Sequence, residues 1–297
     1  MLSAFNNIKK IALVAPAGPP LAENVKKVVD IFFHKNIEVV LGKSVKDIYD
    51  VKYLSSSISM RVDDIHSMWS DSTIDCVISA KGGYGSAQLL PFLNWKLLEA
   101  NPKPFIGFSD ITALHLAMYK NGVKNLISGP MLSYLLKMED DDYSSDSLAA
   151  CFNLKPYSFI PLKDSKFKVL KRGKGEGSII PVTLSVLVTL IGTPYLPSFK
   201  KSILLIEDIN EPVYKLDRYL TQLVHSGVLN RCNGLLLGYF TRCGNLKDRL
   251  KLFSDFAENF NFPVIANIPF GHKLPRLSVS FGDYVTIEDD KIHLVHH

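Results

Sequence analysis

At 297 residues the chain is long enough to bury a large core, as two domains or as one large α/β unit. A hydrophobic fraction of 47% and a charged fraction of 21% are those of an ordinary soluble enzyme. The net charge of +5 is dispersed, and the densest basic stretch, residues 163–174, contains Asp164 and no stacking run of aromatics; it reads as a solvated connector rather than a nucleic-acid groove.

Residues 10–16 form an apolar strand that ends in the turn Gly18-Pro19-Pro20. Lys9-Lys10 ahead of IALVAPA imitates a signal peptide, but the apolar run is short for one, and a first β-strand is expected. Residues 21–35 carry Val25, Val28, Val29, Phe32 and Phe33 at helical spacing, and 37–41 read as the next strand. Strand, helix, strand opens a parallel sheet with a right-handed crossover. A helix over 59–70 turns Met60, Ile65 and Met68 inward, and a third strand, 75–80, runs into Lys81-Gly82-Gly83-Tyr84-Gly85-Ser86. A helix with Leu89, Leu90 and Phe92 follows. Residues 104–108 form a buried strand, then a sharp corner at Gly107-Phe108-Ser109-Asp110, then a helix bearing Ile111, Leu114, Ala117 and Met118 that closes at Asn121-Gly122. A last strand at 126–129 completes this half.

From 137 to 168 the chain turns acidic and polar, with Glu139, Asp140, Asp141 and Asp142, and is interrupted by Pro156 and Pro161. The domain connection is placed here, dividing the chain into 1–136, a linker over 137–168, and 169–297. The second half holds short strands at 169–171, 202–206, 234–240, 264–266, 283–288 and 291–295, with helices expected at 182–191 and 212–226. The fold class is therefore α/β: an N-terminal parallel-sheet α/β domain and a smaller β-rich α+β C-terminal domain. Cys76, Cys151, Cys232 and Cys243 form no metal-ligand or redox spacing, and reduced cysteines of a cytoplasmic protein are the simple account. No apolar run reaches membrane-spanning length.

Chemistry in an open parallel sheet gathers at the carboxyl ends of strands, where residues 81–86 and 107–110 both fall. A serine at a strand-to-helix corner presents its hydroxyl beside unpaired N–H groups of the first helical turn, which suits a nucleophile; the bland account of Ser109 is a helix cap. Gly82, Gly83 and Gly85 allow close backbone approach, yet neither a GxGxxG nor a GK[ST] phosphate template fits, so an anion-stabilising loop near Ser109 is preferred. A serine nucleophile needs a base and an orienting carboxylate. His34, His66, His115 and His225 fall in helical segments, and His293, His296 and His297 at the terminal strand and tail. His272 instead follows Ile268-Pro269-Phe270-Gly271 in a loop. For the carboxylate, the buried run 202–206 ends at Glu207-Asp208; Glu207 is preferred, with Asp208 and Glu211 as rivals, whereas Asp217 and Arg218 read as structural ion pairs. No HExxH or cysteine cluster suggests a metal, and no cofactor is expected.

Several segments resemble the LD-carboxypeptidases of peptidase family S66, which include murein tetrapeptide carboxypeptidases and microcin C immunity hydrolases. The matching pieces are Val14-Ala15-Pro16-Ala17-Gly18, Arg61-Val62-Asp63-Asp64, Gly82-Gly83-Tyr84-Gly85 with Leu89-Leu90-Pro91, and Ile106-Gly107-Phe108-Ser109-Asp110-Ile111-Thr112. Gly192-Thr193-Pro194, Ile206-Glu207-Asp208 through Glu211, Tyr214 and Asp217-Arg218, then Phe270-Gly271-His272, continue in the expected order. The resemblance implies a Ser109–Glu207–His272 triad, an oxyanion hole from the backbone of Gly83 and Asp110, and an active site between the two domains. Lys81, Tyr84 and Arg276 are the residues expected against the substrate. Where the family has arginine before Gly-Gly-Tyr-Gly this chain has Lys81, and where it has Gly-Gly-Asn-Leu this chain has Pro181-Val182-Thr183-Leu184.

The activity so implied is a cytoplasmic serine carboxypeptidase that releases terminal D-Ala from murein tetrapeptides in peptidoglycan recycling, as a possible homodimer, with no nucleic-acid or membrane partner. The alternatives are a microcin C-type immunity hydrolase acting on an amide-linked nucleotide antibiotic, and a non-catalytic binding protein that keeps the two-domain cleft.

Overall fold

The computed structural model describes residues 3–47, 49–138, 141–153, 157–159, 161–162, 166–289 and 291–295. Glu139, Asp140, Pro156, Lys163, Asp164, His296 and His297 of the sequence reading lie outside the described residues.

The first half alternates strand and helix as its apolar periodicity dictates. Lys10–Val14 (β1) is followed by Ala22–Phe33 (α1), whose Val25, Val28 and Phe32 face inward. Glu38–Leu41 (β2) precedes Ile58–Ser70 (α2), which begins where the Ser57 hydroxyl accepts the Met60 N–H. Cys76–Ser79 (β3), Phe105–Gly107 (β4), Thr112–Lys120 (α3) and Leu126–Ser128 (β5) complete the unit. These five strands pair in parallel in the order β2-β1-β3-β4-β5. Residues 86–92, expected as a helix, form a 3-10 turn instead, with Pro91 inside it lacking the N–H that a longer α-helix would use.

The stretch read as a connection contains a helix, Asp142–Asn153 (α4). Its buried face carries two serines, a polar signal that resembles a linker. Ser144 Oγ accepts the Arg276 N–H at 2.8 Å and Ser147 Oγ accepts the Ser278 N–H at 2.9 Å, so both hydroxyls are satisfied by backbone from the far end of the chain.

The second half comprises Lys168–Lys171 (β6), Lys174–Thr183 (β7), Leu184–Thr189 (α5), Ser202–Ile209 (β8), Val213–His225 (α6), Cys232–Thr241 (β9), Leu246–Ala257 (α7), Val264–Ala266 (β10), Val279–Ser280 (β11), Tyr284–Glu288 (β12) and Lys291–Val295 (β13). Within an eight-stranded sheet, β7, β8, β9 and β10 run parallel, flanked by antiparallel β12, β13 and the two-residue strand Tyr157–Ser158 on one side and by β6 on the other. The helix expected over 182–191 is corrected: strand continues through Thr183, because Val182 and Thr183 pair with Ile206 and Glu207 of β8, and only Leu184 starts the helix.

The strand β11, from the second half of the chain, belongs to the other sheet: it pairs antiparallel with β5, Val279 opposite Ser128, capping the edge of the N-terminal sheet. One hydrophobic core runs through both halves, with Leu114 of α3, Leu187 of α5 and Ile206 of β8 among its members. That shared core fixes the end of β4 and the end of β8 against each other. Among the described residues no helix is long and apolar enough to cross a membrane.

Candidate active site

Ser109 occupies the corner between β4 and α3 with a φ of 63°, the left-handed region that a residue with a Cβ rarely adopts. Extended Phe108 precedes it and a 3-10 turn, Ser109–Ile111, carries the chain into α3. This strained strand-to-helix turn holds the side chain out from the sheet end. The neighbouring loop leaves room only for glycine: a Cβ on Gly82 would lie 2.9 Å from Ser109 Cβ and 3.1 Å from Ser109 Oγ. Gly83 has a φ of 107°, and its N–H has no hydrogen-bond partner among the described residues.

Three loops at the carboxyl ends of β1, β3 and β4 are stapled together around this corner. Gly18 N–H donates to the Gly82 carbonyl at 2.9 Å. Ser86 donates its N–H to Asp110 Oδ2 at 2.8 Å and its hydroxyl to the Asp110 carbonyl at 2.6 Å. Burial pushes the Asp110 carboxyl up from the usual range, opposed by these donors and by the nearby Arg61 charge. Arg61 is itself buried, and donates to the carbonyls of Pro16 and Gly85 and to Gln88 Oε1. One guanidinium thus ties the loop after β1 to the glycine loop after β3.

From the other half comes a carboxylate at the end of β8. Glu207 is 1% exposed and both oxygens are engaged. Its Oε2 accepts from His272 Nδ1 at 2.7 Å, and its Oε1 accepts the Thr183 hydroxyl. Thr183 in turn donates its N–H to Thr112 Oγ1 at 3.2 Å, three residues beyond Ser109. The histidine loop is fitted over the carboxylate. Gly271 has a φ of 127°, and a Cβ there would lie 2.7 Å from Glu207 Oε2. Phe270 hangs from β9 where its pairing with β8 shifts register, its carbonyl accepting the Tyr239 N–H at 2.7 Å.

Glu207 and His272, far apart in sequence, therefore meet, and the His272 ring lies 4.8 Å from the ring of Phe108, the residue bonded to Ser109. Among the described residues Ser109 Oγ makes no hydrogen bond, and His272 makes the one to Glu207. The rivals for the carboxylate face elsewhere. Asp208 accepts from the Ser185 N–H and hydroxyl and from the Ile209 N–H, and so caps α5; burial, then the Glu207 charge, push it up to about 6. Glu211 pairs with Lys215 at 3.3 Å.

The residues expected against the substrate divide. Lys81 is exposed, its Nζ donating to the Pro19 carbonyl at 3.0 Å. Tyr84 is 54% exposed and meets Tyr53 edge to face at 5.9 Å. Arg276 is fully buried instead, its guanidinium 3.9 Å from the centre of the Phe108 ring, so it is not a surface cation. Of the helical histidines, His115 is a core residue against the Phe105 carbonyl, held down to about 3 by burial. Sequence reasoning gave no role to Thr183, Arg61 or Phe108. Each acts on the site through a partner distant in the chain, and no local pattern announces that.

Two family models match the chain: the LD-carboxypeptidase N-terminal domain over residues 11–129 and the LD-carboxypeptidase C-terminal domain over residues 176–287. A putative carboxypeptidase of Streptomyces coelicolor is 31% identical over 284 residues, covering 95% of this chain and 91% of its own length. A probable murein peptide carboxypeptidase of Bacillus subtilis is 30% identical over 285 residues, covering 94% of this chain and 88% of its own. Among solved structures, an MccF-like protein from Bacillus anthracis aligns with a TM-score of 0.88 at 27% identity, covering 98% of this chain and 97% of that one.

Proposed function

We propose, from the premise that this chain belongs to the LD-carboxypeptidase family, that it is a serine carboxypeptidase releasing a terminal D-residue, D-Ala, from murein tetrapeptides. The observation that carries the mechanism is the Glu207–His272 pair, 2.7 Å apart and set beside the strained Ser109 corner. With Nδ1–H committed to Glu207, the Nε2 of His272 is the base. It takes the Ser109 hydroxyl proton as Oγ attacks the carbonyl of the L,D-bond, and Glu207 stabilises the imidazolium that forms. The tetrahedral intermediate collapses by breaking the C–N bond, and His272 returns the proton to the departing amine of the D-residue. Water, activated by the same histidine, then hydrolyses the acyl–Ser109 ester.

The N–H groups of Gly83 and Asp110 hold the oxyanion, at about 3 kcal/mol per donor. Substrate completes the Ser109–His272 hydrogen bond, since such contacts often tighten only in the complex. An exopeptidase also holds the free carboxylate, and Lys81, at the mouth of the glycine loop beside Tyr84, is the accessible cation for that task. The four cysteines are free and buried, which supports a reducing, cytoplasmic setting. A homodimer belongs to the same reading and is read by light scattering.

The test is incubation with a muramyl tetrapeptide ending in D-Ala and with its L-Ala-ended epimer. Release of D-Ala alone is expected, and folded protein that releases neither overturns the proposal. Likeness to the MccF-like structure gives the second reading, in which an amide-linked nucleotide is the substrate. Its arm is the same assay on that compound, and faster turnover there than on the tetrapeptide would replace the first reading with it.

A further inference from the structure

Thr183 closes β7, and the register sets it directly opposite Glu207 of parallel β8. Paired residues of neighbouring strands lie on one face of a sheet, so the hydroxyl and the carboxylate meet by topology. Both are buried, Thr183 at 4% exposure and Glu207 at 1%. Among the described residues the hydroxyl is the one partner of Glu207 Oε1, while Oε2 accepts from His272 Nδ1 at 2.7 Å. Backbone confines the stem of Glu207: a Cβ on Gly238 would lie 3.2 Å from Glu207 Cβ, and one on Gly271 would lie 3.0 Å from it. Packing of that kind fixes the stem, but the last torsion of a glutamate, which decides where each oxygen points, is broad and two-fold. Hydrogen bonds to the two oxygens are what set it. The Thr183 N–H is also engaged, donating to Thr112 Oγ1 at 3.2 Å in the first turn of α3. One residue therefore grips the acid of the His272 pair with its side chain and the helix that follows Ser109 with its backbone.

We propose that Thr183 is a positioning residue of the triad: its hydroxyl pins one oxygen of Glu207 so that the other stays on His272 Nδ1, and its N–H keeps that carboxylate in register with the Ser109 helix. This rests on the triad reading above. Threonine at this place is one of this chain's departures from the family pattern. Valine has nearly the same shape and keeps the backbone bond, but it leaves Oε1 buried without a donor. The carboxylate is then free to turn, and the His272 Nδ1–H loses a fixed acceptor. Serine retains the hydroxyl.

The experiment is NMR at one fixed pH on full-length protein labelled at histidine nitrogen, reading the Nδ1–H proton of His272, assigned by its loss in His272→Gln. Wild type and Thr183→Ser are expected to show this proton protected from solvent exchange, and folded Thr183→Val to lose it. A wild type without the signal, or a folded Thr183→Val that keeps it, overturns the proposal. If Thr183→Val does not fold, Thr183→Ala is read by the same criterion; if neither folds, Thr183→Ser decides, a retained signal supporting the pin and a lost one refuting it. On the tetrapeptide, Thr183→Val should lower kcat by about 30-fold with KM changed by less than about twofold, and Thr183→Ser should restore kcat to within about threefold. A raised KM at unchanged kcat would place Thr183 against the substrate and overturn the positioning role. No substrate enters the NMR comparison, so a failure of D-Ala release by the wild type would count against the carboxypeptidase reading alone.

Discussion

Replacing Glu207 by Gln removes one charge and almost no volume. The carboxylate accepts from two donors at once, His272 Nδ1 and the Thr183 hydroxyl. A glutamine has one acceptor oxygen. If its carbonyl stays on His272, the Thr183 hydroxyl can turn to accept the amide, but the imidazolium formed during attack loses its counter-charge. If its NH2 faces His272 instead, Nδ1 must accept and Nε2 carries the proton, which disables the base. Both arrangements predict a fall in kcat of about 10⁴-fold, or roughly 5 kcal/mol of barrier, with little change in KM. Steady-state D-Ala release, measured well below the melting temperature of the variant, reads this effect. A folded Glu207→Gln enzyme within tenfold of wild-type kcat would refute the assignment of Glu207 as the orienting carboxylate.

Local geometry sets three further outcomes. Ser109→Gly should be more stable than Ser109→Ala by up to about 1 kcal/mol, because glycine relieves the positive φ of the corner while its freer unfolded chain offsets part of the gain; equal melting temperatures would argue against strain there. Gly271→Ala places a Cβ 2.7 Å from Glu207 Oε2 at a φ of 127°, so kcat should drop by about 10²-fold, and a loss under threefold would show that the loop is not fitted to the carboxylate. Asp208 takes its proton more readily in the fold, at about 6, than its ordinary value of 3.8. Its contribution therefore favours the native state below about pH 4 and is lost as pH rises through 6, by roughly 3 kcal/mol. Unfolding free energies of wild type and Asp208→Asn at pH 4 and pH 7 should diverge accordingly, and parallel values at both would contradict it.

The parts of the site carried by local pattern are legible in the sequence. The apolar run of β4, the abrupt change to helical spacing after Ser109 and the glycine cluster after β3 mark two strand ends, and an acidic pair closing the run of β8 marks a third. Pattern cannot separate Glu207 from Asp208, because adjacent strand residues point to opposite faces and only the partner strand says which face is the cleft. The register of β7 against β8, which brings Thr183 to Glu207, is a non-local pairing hidden by the glycines of β7. Helix α4 is obscured for a related reason: its inward serines look like linker residues until the 276–278 backbone supplies their partners. The need for a cation to hold a terminal carboxylate suggests Arg276, but its burial against the Phe108, Phe270 and Tyr134 rings depends on contacts among separate segments.

A covalent bond at Ser109 is the centre of the proposed mechanism. Acid quench of the protein within milliseconds of mixing with excess tetrapeptide, followed by peptide mapping, should find the acyl mass on the peptide that contains Ser109, accompanied by a burst of D-Ala. Ser109→Ala should give neither. D-Ala released at an undiminished rate by Ser109→Ala, with no adduct on the wild type, would contradict it.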